Sequence, residues 1–428
     1  MPHIIKNFDQ LAMSTLRRQA LLIAEAGFFA INTKDAVRRG INYNQKNQVL
    51  EVGDKKYVLK NFRRVMCVGF GKAAFDAVSE IQEILSGFIT CGFVIDLKEG
   101  SLGNITCRIG THPYPTKVNI QATKELMAML ADCSSEDLVI CVVSGGGSAL
   151  LCSPRDMSCE QEVEIVSALT VKGASIQELN TVRKHISTVK GGQLAKLMYP
   201  ARVVSLIFSD VPGDDISMVA SGPTVLDRST IKDAAAVLKK YDVLEMCRLP
   251  SCNLAETPKD PKFFGNVQNY LLVSPGLAIS AMKNAADNLG FDVKIFSDHY
   301  QGVARELAPK IIGENKKGQC LLGAGESTVN ITGKGKGGRS QEMALAALDS
   351  VADNQVLVCA ASDGHDNTEA AGAIIDATIK ARAEALGLNM REYLDNNDSF
   401  NFFEQVEGQL LTGPTETNVS DFFVCLRQ

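Results

Sequence analysis

The sequence has no C-x-x-C pair and no Cys/His cluster with zinc-finger spacing, so its 12 cysteines announce neither a metal nor a redox site. Cys67, Cys141, Cys359 and Cys425 lie inside apolar, strand-like runs, where a thiol acts as a small hydrophobe. That usage fits a reducing compartment and makes the cytoplasm the expected location. No apolar run approaches the ~18 residues of a membrane span. Met1–Gly40 has no secretory h-region. Its Leu11, Leu16, Leu21, Ile23, Ala26 and Phe29 predict an amphipathic helix instead. Arg17, Arg18, Arg38 and Arg39 keep a mitochondrial presequence open as an alternative, with Asp9, Glu25 and Asp35 against it. Excess positive charge is also missing. A formal net charge of −5 argues against nucleic acid or anionic membrane as the main partner. There is no internal repeat and no low-complexity segment.

What is present is a globular composition in a chain of 428 residues, long enough for two or three domains. Strand and helix patterns alternate. A hairpin is predicted over Gln48–Leu59, turning at Gly53-Asp54. Strands are predicted at Val65–Val68, Cys91–Ile95, Ile105–Ile109, Leu138–Val143 and Val203–Phe208. Helices are predicted from about Lys72, over Asn119–Ala131 and Cys159–Val171, over Ile176–Val189 with an interruption, and over Gly192–Met198. This rhythm predicts a doubly wound, mostly parallel sheet. Tyr241–Asn269, rich in Pro, Asn and Lys, reads as a linker. Beyond it, helices at Leu277–Leu289, Val303–Ile312 and after Gln341 alternate with strands at Val293–Phe296, Cys320–Gly323, Val329–Thr332 and Val356–Ala361. Short strands are expected near Leu410 and Phe422.

Five loops at strand ends carry candidate chemistry. The apolar run Leu138–Val143 breaks into Ser144, Gly145, Gly146, Gly147 and Ser148, residues that let backbone N–H groups approach an anion at the ligand-binding edge of an open sheet. Gly69, Gly71 and Ala74, with Asp96 closing the next strand, match a dinucleotide fingerprint and make an NAD enzyme the rival reading. Against it, Lys72 puts a cation at a helix N-terminus, which bound phosphate would explain. Gly333–Ser340 has P-loop spacing with Arg339 in the lysine position, so Gly337, Gly338 and Arg339 are candidate anion ligands. Asp210 and Asp214, after the Val203–Phe208 strand, and Asp363, after Val356–Ala361, are candidates for Mg²⁺ or for a base. Asn180, Arg183 and Lys184 fall within one helical turn, a face suited to a carboxylate.

These motifs occur together and in order: Ser144–Leu151, Asn180–His185 with Lys190-Gly191-Gly192, Ser209–Asp215 with Ala220–Thr224, Gly337–Glu342, and Thr412–Val419. The series resembles the class II glycerate kinases, whose C-terminal part is the MOFRL domain, from about Leu16 to Asp421. The resemblance implies a Rossmann-like N-terminal domain over 1–245 and a smaller α/β domain over 246–428, with MOFRL at about 318–425. It implies transfer of the ATP γ-phosphoryl group to D-glycerate with Mg²⁺, most often on the 2-hydroxyl. Essential roles fall by motif on Lys72 and Arg339. Phosphorylation of the 3-hydroxyl and an NAD(P)-dependent hydroxypyruvate or glycerate oxidoreductase are the alternatives. ATP and the small acid are the expected partners, and a homodimer is left open. Two departures stand out. The family's Asp-Gly-Ile-Asp-Gly-Pro-Thr-Asp loop reads Asp-Gly-His-Asp-Asn-Thr-Glu from Asp363, one residue shorter, and Glu416 replaces a glycine.

Overall fold

The apolar run ending in Val143 forms most of the strand Asp137–Ser144, every residue of which is buried, as a sheet covered on both faces requires. The computed structural model containing it describes residues 3–247, 253–415, 417 and 419–428. Glu416 lies outside the described residues. Two compact units emerge. The larger comprises Ala36–Val211 and Asp215–Leu272, the smaller Met1–Asp35, Pro212–Asp214 and Val273–Gln428. This differs from the contiguous division expected at residue 245, because the N-terminal helix α1 (Thr15–Ile31) is built into the smaller unit. Its Arg17, 1% exposed, makes a two-pronged bond to Asp376 through Nε and Nη2, both at 2.6 Å. Phe28 meets Phe422 edge to face at 4.8 Å. Removing one partner of so buried an ion pair costs about 3–5 kcal/mol.

In the larger unit the sheet strands are β1 (Arg64–Phe70), β2 (Ile89–Asp96), β3 (Ile105–Ile109), β4 (Asp137–Ser144), β5 (Arg202–Phe208) and β6 (Val267–Val273). They lie in the order β3-β2-β1-β4-β5-β6, and the ladders joining β3 through β5 are all parallel. This is the Rossmann order, whose crevice opens at the carboxyl ends of the strands either side of the reversal, β1 and β4. Helices α2 (Ala74–Ile84), α3 (Lys117–Leu130), α4 (Cys159–Val171) and α5 (Ile176–His185) connect or cover the strands. Serine N-caps with a side chain returned from three residues on, Ser158 with Gln161 and Ser175 with Glu178, fix where α4 and α5 begin. The predicted helix over Ile176–Val189 ends at His185, and the expected linker gives way to β6 from Val267. The predicted hairpin forms, its arms Val49–Val52 and Lys55–Val58 joined by Ile41–Asn44 in a separate three-stranded sheet.

The smaller unit departs from the parallel pattern. Its strands β7 (Asp292–Val303), β8 (Gln319–Thr328), β9 (Gln355–Ala360), β10 (Gly372–Ile375), β11 (Gln409–Leu410) and β12 (Asp421–Arg427) run β7-β8-β12-β9-β10-β11. Only β7 and β8 pair parallel; the other ladders are antiparallel. Helices α6 (Pro275–Asn288), α7 (Ala304–Glu314) and α8 (Arg339–Ala347) flank the sheet. Val329–Thr332 is not a strand; β8 ends at Thr328, and the chain then passes Asn396–Asp398, where Asn397 Oδ1 accepts from the Thr332 and Gly333 amides at 2.7 and 2.9 Å. Among the described residues no helix is long and apolar enough to cross a membrane.

Candidate active site

Five predicted residues of the larger unit, Gly146, Ser148, Asn180, Arg183 and Asp210, line one cavity of about 310 Å³. The loop after β4 begins with a close approach. A Cβ on Gly145 would stand 2.3 Å from Asp210 Oδ2, so glycine there lets the carboxylate lie against the backbone. Gly146 takes φ +76°, the left-handed conformation that glycine enters without steric cost, and starts the single helical turn Gly147–Leu150. The first N–H groups of that turn have no intrahelical acceptor, and those of Gly147 and Ser148 have no other backbone acceptor among the described residues. Lys72 crosses the same glycine, its Cγ and Cε 3.1 and 3.2 Å from where a Cβ on Gly146 would be. Its ammonium is half-buried and makes no ion pair among the described residues.

The α5 wall supplies donors. Asn180, 2% exposed, accepts from Ser221 Oγ at 2.6 Å, and Ser221 in turn shares a bond with Ser148 Oγ at 3.0 Å. Among the described residues its own Nδ2 meets only the Met218 sulfur at 3.8 Å, a weak acceptor. Burial lowers the pKa of Arg183 while the charge of Glu162 opposes the shift; the guanidinium has no hydrogen-bonded carboxylate among the described residues. Lys184 points elsewhere. It pairs with the buried Asp227 at 3.2 Å beside a second cavity of about 530 Å³, so it is not brought to Arg183.

Gly69 and Gly71 are occupied by packing. A Cβ on Gly69 would press on Val78 at 2.9 Å, and one on Gly71, at φ +117°, would collide with Ser144 Oγ at 2.1 Å. Ser144 Oγ itself accepts from the Ala73 amide at 3.2 Å. A Cβ on Gly147 would meet Ala220 at 2.7 Å. Asp96, the carboxylate a ribose would need, is 1% exposed and accepts from the amides of Phe75 and Leu97 at 2.8 and 2.5 Å. Burial pushes its pKa up against those donors. The fingerprint therefore closes upon itself.

The same holds for the P-loop-like segment of the smaller unit. Asp366 caps α8, accepting from the Ser340 and Gln341 amides at 3.0 and 2.7 Å, so the helix end expected to meet an anion already carries a carboxylate. Gly337 and Gly338 make room for Ser399 and Asp366, at 2.2 Å from the position of an added Cβ. Burial pushes the Asp366 carboxyl up to about 6 in spite of its donors. Arg339 is held by Asp421 through Nε at 2.5 Å and Nη2 at 3.1 Å, and by Glu326 through Nη1. Burial works against its charge, but the bond to Asp421 and the charges of Asp421 and Glu326 prevail and raise its pKa.

Asp214 and Asp363 belong to the smaller unit. The Asp214 carboxylate lies against Gly276, 2.8 Å from the position of an added Cβ, and Asp363 accepts from the His365 amide at 2.9 Å. Among the described residues no three His, Cys, Asp or Glu side chains form a metal-holding group. Sequence reasoning missed His112, Glu162 and Met218 on the cavity wall, as well as Asp366 and Asp421. Asp366 stands in the acidic loop read from Asp363 but was not singled out there; the other four stand in no motif with a chemical spacing, and only folding brings them to these places.

A Rossmann sheet with a cavity at the carboxyl ends of its strands defines an α/β protein with the layout of a small-molecule site. Comparison with known proteins narrows this. Residues 19–251 match the domain of unknown function DUF4147 and residues 319–421 the MOFRL family. A D-glycerate 2-kinase of Thermotoga maritima is 36% identical over 384 residues, covering 86% of this chain and 91% of that protein. A protein of Agrobacterium vitis, provisionally named a hydroxypyruvate reductase, is 35% identical over 84% of this chain and 86% of its own length. The crystal structure of the Thermotoga maritima glycerate kinase superposes with a TM-score of 0.82 at 33% identity, over 97% of this chain and 100% of that one. The chain belongs to the glycerate 2-kinase family of DUF4147–MOFRL proteins.

Proposed function

We propose that this chain is an ATP-dependent glycerate kinase that phosphorylates D-glycerate on the 2-hydroxyl. The observation that carries the reading is the cavity lined by Gly146 and Arg183, with Lys72 lying over Gly146 and Arg183 without a carboxylate partner among the described residues. Phosphoryl transfer asks the protein for positioning and charge neutralisation more than for covalent chemistry. Arg183 and the Asn180 amide hold the glycerate carboxylate by charge-assisted hydrogen bonds. Lys72 and the Gly147 and Ser148 amides neutralise and orient the transferred phosphoryl group. The family resemblance gives Arg339 a share of that charge. Asp421 and Glu326 occupy three of its five N–H donors and leave two for phosphate.

Mg²⁺ fits this donor set in one way. Of the two carboxylates on the cavity wall, Glu162 is bonded to Lys190 and Cys152, and Asp210, with no three-carboxylate group among the described residues, suits an ion held largely by substrate phosphates. When bound, the ion supplies charge neutralisation at those phosphates.

The oxidoreductase reading meets Asp96, whose oxygens are spent on the Phe75 and Leu97 amides. Eleven free thiols among the described residues fit a reducing compartment such as the cytoplasm. The test is a coupled assay with ATP, Mg²⁺ and D-glycerate, with NMR identification of the phosphorylated hydroxyl. Turnover that needs NAD(P)H and no ATP would replace the kinase by the reductase.

A further inference from the structure

The cavity contains a group that neither the motifs nor the proposed chemistry uses. His112 lies in the loop after β3 and reaches the wall at Gly146, its Cδ2 3.1 Å from where a Cβ on that glycine would stand. Lys72 arrives at the same glycine from the turn after β1, and Asp210 lines the cavity from the end of β5. The ring is the only histidine on the cavity wall, and its nitrogens bond to no protein group among the described residues. The other charged groups lining the space are Arg183 and Glu162. Glu162 is already engaged, since Lys190 bonds one oxygen at 2.7 Å and the Cys152 thiol the other at 3.3 Å, all three buried. Burial, and then the charge of Lys72, lower the His112 pKa, which favours the neutral ring with an open lone pair.

Resting on the kinase reading, we propose that His112 is a catalytic residue, the acceptor of the proton of the substrate hydroxyl. With the carboxylate of the acid on Arg183 and the phosphoryl group on Lys72, the hydroxyl between them faces the imidazole. As the hydroxyl oxygen bonds to the γ-phosphorus, the bond from that phosphorus to the β,γ-bridging oxygen breaks and ADP leaves with the electron pair. The hydroxyl proton passes to the ring nitrogen and then to water. Asp210 keeps the metal role.

The experiment compares wild type, His112→Ala and His112→Asn, the last keeping a similar shape to guard against a folding defect. Wild type is first assayed with ATP, Mg²⁺ and D-glycerate. No ATP-dependent turnover there overturns the kinase reading and this proposal with it. With wild type active, both variants are expected to lose about 10²–10⁴-fold in kcat, the usual share of general-base catalysis, with KM for ATP unchanged. Added imidazole is expected to restore at least about tenfold of the lost kcat in His112→Ala and none in Lys72→Ala. Near-normal kcat in either variant, or absence of imidazole rescue in a folded His112→Ala that still binds ATP, would overturn the role of His112 alone.

Discussion

Arg183 and Lys184 are neighbours in sequence and opposite in circumstance. The pattern Asn180–His185 offers both as cations of one helical turn, yet 100° of rotation per residue sends one to the 310 Å³ cavity and the other to Asp227. That difference was not legible, because it depends on what α5 packs against. Arg183→Ala should therefore raise KM for D-glycerate by about 10–100-fold, a lost charge-assisted bond of about 1.5–3 kcal/mol, whereas KM for ATP should stay put. Steady-state kinetics in both substrates decide it. Lys72→Ala and Arg339→Ala should each lower kcat by about 10²–10³-fold, the cost of losing one preorganised donor to developing charge. Near-normal turnover in either would remove the role assigned here. Lys72 was readable because a cation at a helix start is locally unfavourable and asks for an explanation. His112 was not, since a lone histidine carries no pattern.

Among elements, the two glycine-rich turns that looked most like nucleotide loops are the ones closed by their own fold. Glycine spacing reports where backbone comes close to something, and at Gly71 and Gly338 that something is Ser144 and Asp366. The loop at Gly145–Ser148 was legible for the same reason, and there the close approach is to Asp210 beside open space. The shortened Asp363 loop keeps its turn. Asn367, where the family has glycine, adopts φ +54°, a conformation asparagine tolerates better than most residues. The Asp366 cap carries a pH signature. An unfolded aspartate titrates near 3.9, and the folded carboxyl at about 6. The folded state thus holds more protons across that window, so this group's contribution is full below about 3.9 and lost as pH rises through 6. Chemical denaturation of Asp366→Asn across that range should show a flatter decline than wild type. A parallel slope would mean that the cap is ionised throughout. Asp137, buried at the base of β4, has the reverse sign. Its bond from Arg64, reinforced by Arg63 and opposed by burial, holds its carboxyl well below the ordinary range. That contribution is present above about 3.9 and lost as pH falls through the lowered pKa, so Asp137→Asn should blunt acid unfolding measured by circular dichroism.

For the molecule as a whole, the alternation of strand and helix made the larger unit's sheet readable, down to parallel pairing. The smaller unit's sheet was not. Periodicity shows that Asp421–Arg427 is a buried strand but says nothing of where it inserts, and it inserts between β8 and β9. A ligand that binds only the folded state adds RT ln(1 + [L]/Kd), about 2.7 kcal/mol at a hundredfold excess over Kd. D-glycerate should thus raise the melting transition of wild type and leave that of Arg183→Ala where it is. The position of β12 has a consequence for biogenesis. The ribosome delivers α1 first and the central strand of the same sheet after both its neighbours, with the whole larger unit between them. Until Phe422 emerges, Phe28 has no ring to meet and β8 and β9 have no strand to join them. The larger unit is complete long before, so the smaller one stays an open sheet until β12 has emerged to join β8 and β9.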